Sequence, residues 1–243
     1  YEILAWLEFR RVLFRSPSLI DVFWGINITL TGLIYLSFRN KDMLFILSMM
    51  FLVIWGLRLT SFLFFSRIVK GKHDPRYEEM SRSWKNKKLG FLAQYLLQGC
   101  LAWIIATPFF LLKYKTSIEV IDIVAFLVIL IGIVGEAIAD YQLYTHVKMS
   151  KGTVCQKGLW RYTRHPNYFF ECTVWLGFSM LGSFIGLGFI SYISILTLFC
   201  IMWFVTIPIT ENESIKKRGE AYLKYKSKTP CLIPWVLRDK KNN

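Results

Sequence analysis

Long apolar runs dominate the chain, and short polar stretches separate them. Six runs cover roughly residues 19–37, 43–66, 89–112, 118–139, 168–186 and 188–209. A helix needs about 20 residues to cross a ~30 Å hydrocarbon layer, and each run approaches or exceeds that length. The pattern predicts an all-α fold, a polytopic membrane helical bundle of about six transmembrane helices. After the last run the pattern changes to ENESIKKRGEAYLKYKSK. Charged residues there alternate with Ala221, Tyr222, Leu223 and Tyr225, which predicts a C-terminal cytoplasmic amphipathic helix lying on the membrane or folding back over a site.

Polar residues inside the apolar runs carry the functional signal. Ionisable groups at such depth are costly unless they pair or face a wet cavity. Arg58, in WGLRLTSF, lies about 13 Å deeper than Arg67 along a helix, so it must pair, face water or snorkel. Gln94 and Gln98 are one turn apart in the third run, where hydrogen bonding between helices is the plain explanation. Gly132, Glu136 and Asp140 recur every fourth residue, on one narrow face. Glycine there admits a close neighbouring helix, and the two acids call for a cation such as Arg58 or Arg164. Asp140 is also readable as a solvated residue at the helix end.

The stretch GLWRYTRHPNYFFECTVW, residues 158–175, joins a basic aromatic turn to the fifth run. Pro166 suits a first helical turn, because its missing N–H has no partner there. Arg164, Tyr168, Glu171 and Trp175 are then spaced to share one face. Glu171 falls about one turn inside the membrane boundary and is a functional candidate for that reason.

Charge settles which of two broad classes applies. The net charge is +14 and the pI about 9.6, which on a soluble protein would suggest nucleic acid. Here the cations concentrate in segments 67–88, 140–167 and 216–241, all on one side of a six-span bundle. The positive-inside rule makes that side, with the C-terminus, cytoplasmic, and leaves no role for nucleic acid. The partners expected are the lipid bilayer and a lipophilic small molecule. The five cysteines form no C-x-x-C pair and are read as reduced thiols, with no metal site. Three histidines are too few for a two-iron membrane oxygenase. Residues 1–16 include EFRRVLFRS, which resembles a translated library adapter, so 1–16 are read as a non-native leader and 17–243 as one transmembrane domain. In the basic loop, HDPRY reads as a turn presenting Arg76 and Tyr77.

Taken in order, DVFWG (21–25), WGLRL (55–59), HDPRY (73–77), GEAIADYQ (135–142), GLWRYTRHPNYFFE (158–171) and RGEAYLKYKSKTPCLIPW (218–235) resemble the steroid 5-alpha-reductase-like family, in its bacterial branch. The likeness runs from Asp21 to Trp235. It implies a membrane reductase that uses NADPH to reduce an activated C=C bond of a steroid- or lipid-like substrate. By motif, it implies cofactor-binding roles for Asp140, Arg164, His165, Asn167, Tyr168 and Glu171. Arg58, Arg76, Gln98 and Glu136 are further candidates, and Tyr77, Tyr168 or Tyr225 would donate the proton. The motif departs from the family at Phe170, where glycine is common, and at His73, where an acid is common.

The rival resemblance is to isoprenylcysteine- and phospholipid-type methyltransferases, which use S-adenosylmethionine. Arg164-His165-Pro166, Glu211, Gly219, Tyr222 and Tyr225 satisfy their looser pattern, but Glu211-Asn212-Glu213 breaks their adjacent acid pair. A non-enzymatic lipid-binding or scaffold protein is the third class. It gives no reason to retain the buried polar residues.

Overall fold

In a computed structural model, residues 19–69, 84–183, 186 and 188–235 are described, and all regular structure among them is helical. The elements are α1 (Leu19–Ser37), α2 (Met43–Leu63), α3 (Lys87–Ile105), α4 (Thr107–Leu111), α5 (Val120–Met149), α6 (Pro166–Gly182), α7 (Ile193–Ile201), α8 (Ile207–Arg218) and α9 (Glu220–Lys228). Among the described residues, four stretches are long and apolar enough to cross a membrane: Ile20–Ser37, Met43–Ser66, Val120–Met149 and Gly188–Arg218. A fifth arises if α3 and the α4 segment count as one span bent by 44°. The protein is therefore an integral, multi-pass membrane protein. The run predicted over 168–186 forms α6, whose 17 residues reach about 25 Å, slightly less than the hydrocarbon thickness.

The breaks have local causes. Pro108 opens α4 and has no N–H to give the preceding turn. Thr107 donates its hydroxyl to the Ile104 carbonyl at 2.6 Å, satisfying one acceptor at the bend. Pro208 opens α8 in the same way, directly after a wide π turn at Met202–Thr206.

Large apolar side chains point outward along these helices. Leu30, Leu57, Leu96, Trp103, Leu127 and Leu196 are all more than half exposed. Several buried residues are polar, among them Ser48, Gln98, Glu136, Asp140, Glu171 and Glu211. Apolar surface facing outward is the arrangement that lipid contact favours.

The chain divides into two compact units. The first holds α1 to α4 with residues 185–193. Its α1 and α2 pack antiparallel through a reciprocal seam: a Cβ at Gly25 would meet Thr60 Oγ1 at 2.7 Å, and one at Gly56 would overlap the Thr29 side chain. The Thr29 hydroxyl bonds back to the Gly25 carbonyl at 2.8 Å, so its polarity is spent within its own helix. After α1, Arg39 is buried, pairs with Asp42, and donates to the Leu112 and Lys115 carbonyls. Asp42 in turn caps α2 by accepting the Phe45 N–H at 2.8 Å.

The second unit holds residues 118–183 and 194–235. Its main packing is α5 against α6, antiparallel. A Cβ on Gly132 would lie 2.7 Å from the Val174 backbone nitrogen, and one on Gly177 would lie 2.8 Å from the Ala125 carbonyl. At Gly135 the neighbour is the Phe170 ring, 2.3 Å from where a Cβ would sit. Phe170, the position where the resembled family often has glycine, thus packs into a glycine supplied by the facing helix.

Gly132→Ala should force this seam apart and cost about 1–3 kcal/mol, the usual range for overpacking. Gly99→Ala on α3 has no atom within 4 Å of the added carbon and should be neutral to mildly stabilising. Thermal unfolding of both variants in detergent checks the contrast. Equal losses would contradict the close-approach reading.

Candidate functional site

The polar residues of α5 fall on the face that α6 covers. Gly132, Glu136 and Asp140 are all buried, as their spacing predicts. At the polar end of the seam, Asn167 donates its amide to Asp140 Oδ1 at 3.4 Å. The same antiparallel register sets Glu136 and Glu171, each 4% exposed, at one level a turn deeper. Glu171 Oε1 accepts the Trp175 indole N–H at 3.1 Å, a contact that the i, i+4 spacing allows. Among the described residues, the Asn167 carbonyl oxygen is buried without a partner. A buried amide oxygen in that state is an acceptor available to a hydroxyl or amide from a ligand or water.

The entry to α6 is built by the turn before it. Gly158 has φ +59°, and the Gln142 carboxamide occupies the space a Cβ would need, 2.5 Å away. That carboxamide accepts the Leu159 N–H at 2.9 Å, and the buried Trp160 donates to the Ala139 carbonyl at 2.9 Å. The turn is thereby fixed to α5, and Pro166 starts α6 directly after it.

Arg164 and His165 do not turn toward Asp140. They converge instead on Glu211 of α8. Arg164 Nε lies 2.7 Å from Glu211 Oε1, His165 Nε2 lies 3.2 Å from the same oxygen, and Lys226 Nζ of α9 lies 2.6 Å from Oε2. The Arg164 guanidinium also donates to the Lys226 and Thr229 carbonyls, at 3.0 and 2.5 Å. Of the two arginines expected to answer the α5 acids, Arg164 is paired with Glu211, while Asp140 accepts from Asn167. Buried charges at this density are stable only when paired, and Glu211 meets three donors. Tyr168 stacks on the His165 ring, with centroids 5.2 Å apart, and its hydroxyl lies 3.5 Å from Thr210 Oγ1.

His165, Glu211 and Cys231 also place three potential ligand atoms within 4.8 Å of one another. Both Glu211 oxygens already carry a cation, from Arg164 and Lys226, so the trio serves as the centre of an ion-pair cluster.

Tyr225 is buried, and its hydroxyl donates to the Trp160 carbonyl at 2.5 Å, with the Thr163 carbonyl at 3.3 Å. Burial pushes its phenol well above the ordinary value. Burial, reinforced by the Glu211 charge, pushes Tyr222 up to about 12. Both phenols thus stay neutral at physiological pH.

The second unit brings together Glu136, Asp140, Arg164, His165, Asn167, Tyr168, Glu171 and Tyr225 of the predicted residues. Arg58, half-buried, and Gln98, buried, belong to the first unit. Tyr77 and Arg76 lie outside the described residues. Sequence reasoning missed Glu211 as a hub, along with Lys226. The available signal was the first acid after an apolar run, followed by a basic tail.

A sequence profile described as protein of unknown function (DUF1295) matches residues 9–229. No curated protein and no solved structure matches.

Tyrosines with raised folded values favour the folded state fully below the unfolded value near 10, and that contribution is lost as the pH rises through the folded value. The melting temperature in detergent should therefore fall between pH 10 and about 12, and Tyr222→Phe should flatten that limb. Tyr225→Phe should cost about 1–3 kcal/mol at neutral pH, because two buried carbonyls lose their donor. Melting curves across that pH range check both outcomes. A limb of unchanged steepness in Tyr222→Phe would remove Tyr222 from it.

Proposed function

We propose that this chain, which belongs to the DUF1295 family of proteins of unknown function, is an NADPH-dependent reductase of an activated C=C bond in a lipophilic substrate. The single observation that carries the reading is the buried polar seam between α5 and α6, with the Asn167 oxygen left to accept a hydrogen bond. Its carboxylates and amide suit ribose hydroxyls and a carboxamide, which a dinucleotide supplies. The ordered motifs from Asp21 to Trp235, similar to the steroid 5-alpha-reductase-like family, favour the same cofactor.

In this reading Asp140, Asn167 and Glu171 hold the sugar and amide groups. Glu136 orders the seam from the next turn. Arg164 is the phosphate ligand, exchanging Glu211 for the anion, and its planar fork fits that task. When bound, the reduced nicotinamide supplies the hydride. Of the three candidate tyrosines, Tyr225 already has its proton on backbone carbonyls. Tyr168, whose hydroxyl has only a 3.5 Å contact among the described residues, is the better donor to a developing enolate. His165, stacked on Tyr168 and bonded to Glu211, fixes the orientation of that ring. The basic loops and the C-terminus are assigned to the cytoplasmic side of a bacterial inner membrane, where the cofactor is supplied.

The second reading, an S-adenosylmethionine-dependent methyltransferase, is favoured by Glu211. Its contacts with Arg164 and His165, beside Tyr222 and Tyr225, gather the residues of that looser pattern on one side of the unit. In this case the amino acid part of the cofactor would take up the Arg164 and Glu211 charges.

Thermal shift of the purified protein with NADPH, NADH and S-adenosylmethionine separates the readings. The expected result is selective stabilisation by NADPH that Arg164→Ala removes and Asn167→Ala weakens by about tenfold in affinity, the value of one good hydrogen bond. Selective stabilisation by S-adenosylmethionine would replace the reductase with the methyltransferase.

A further inference from the structure

Residues Gly219–Trp235 lie across the turn that carries Arg164 and His165, and they are tied to it by a short set of bonds. Arg164 alone supplies three: its backbone N–H to the Pro230 carbonyl at 2.9 Å, and its guanidinium to the Lys226 and Thr229 carbonyls. Thr163 donates its hydroxyl to the Cys231 carbonyl, and the Trp235 N–H reaches the Tyr162 carbonyl at 3.1 Å. From below, Tyr222, Tyr225, Thr229 and Leu232 are buried, while Leu223, Lys224 and Lys228 face out. The segment thus covers the Arg164–His165–Glu211 cluster, whose three side chains are each at most 10% exposed.

One joint connects this cover to the membrane helix beneath it. Gly219 separates α8 from α9 at φ +52°, ψ −130°, and a Cβ there would meet no atom within 4 Å. The space is open, so the backbone conformation alone asks for glycine. Glu211, on the α8 side of this joint, holds Lys226 on the α9 side at 2.6 Å, and the same carboxylate holds Arg164 at 2.7 Å. A single carboxylate therefore fastens both ends of the contact.

We propose that Gly219–Trp235 is an opening strap, hinged at Gly219 and latched by Glu211 through Lys226 and Arg164, that controls access to the buried His165 side chain. An anion that takes Arg164 releases one half of the latch, so ligand entry and strap opening are coupled. This coupling holds for either cofactor considered above, and the test uses none.

The test is hydrogen exchange on the full chain in detergent, read by mass spectrometry, for Lys226→Met and Glu211→Gln. Lys226 is 41% exposed at its side chain, so Lys226→Met leaves the buried core intact and is the variant least able to misfold. Both variants should speed exchange over 220–235 by about tenfold, as local opening does, with α5 and α6 unchanged. Unchanged exchange over 220–235 in Lys226→Met overturns the latch. A rise spread equally over α5 and α6 overturns the strap, because the segment then opens only with the whole unit.

Discussion

Close approach of α5 to α6 is the constraint on which the rest of the second unit depends. Gly132 and Gly177 bring the two backbones near enough that an added carbon would strike main-chain atoms. That distance excludes lipid from the seam and brings Glu136, Asp140, Asn167 and Glu171 to facing positions. Carboxylates in hydrocarbon would be prohibitive on an isolated helix. Between two packed helices they find partners, as the Asn167–Asp140 and Trp175–Glu171 bonds illustrate. The first unit uses the same device, with Gly25 and Gly56 each receiving a threonine of the other helix.

Electrostatics act on a second centre, outside that seam. Glu211 gathers Arg164 and His165 from the turn before α6 and Lys226 from α9. Removing the Glu211 carboxylate would leave the buried Arg164 charge without its counter-ion, which is why such clusters define geometry strongly even when their net stabilisation is small. The positions of Arg164 and His165 at the mouth of α6 follow from this carboxylate as much as from the turn that carries them. The seam offers hydrogen bonds, and the cluster offers exchangeable charge. A dinucleotide has need of both.

Much of the fold was legible in the sequence because apolar length and helical spacing act locally. The runs at 19–37, 43–66 and 118–139 correspond to α1, α2 and α5, and the Gly132–Glu136–Asp140 stripe is buried as its spacing required. The lengths of three helices were less legible, and α5 runs on to Met149, well past the end of its apolar run. Pro108 bends one span, and α6 starts at Pro166 but ends at Gly182, short of the apolar run. The Trp175–Glu171 contact was readable from a four-residue interval. The Arg164–Glu211 pair was not, because it joins residues 47 apart through the path of α7 and α8, which no local rule supplies. The Phe170 departure made sense only beside Gly135, a complement held on another helix.

The central claim is that the α5–α6 seam receives a reduced dinucleotide. It is tested most directly by photocrosslinking the purified protein with a photoreactive NADPH analogue and mapping the modified peptides. The account predicts adducts within 136–171, suppressed by excess NADPH and absent in Asp140→Leu protein of unchanged melting temperature. Adducts confined to the first unit, or adducts that S-adenosylmethionine suppresses and NADPH does not, would contradict it.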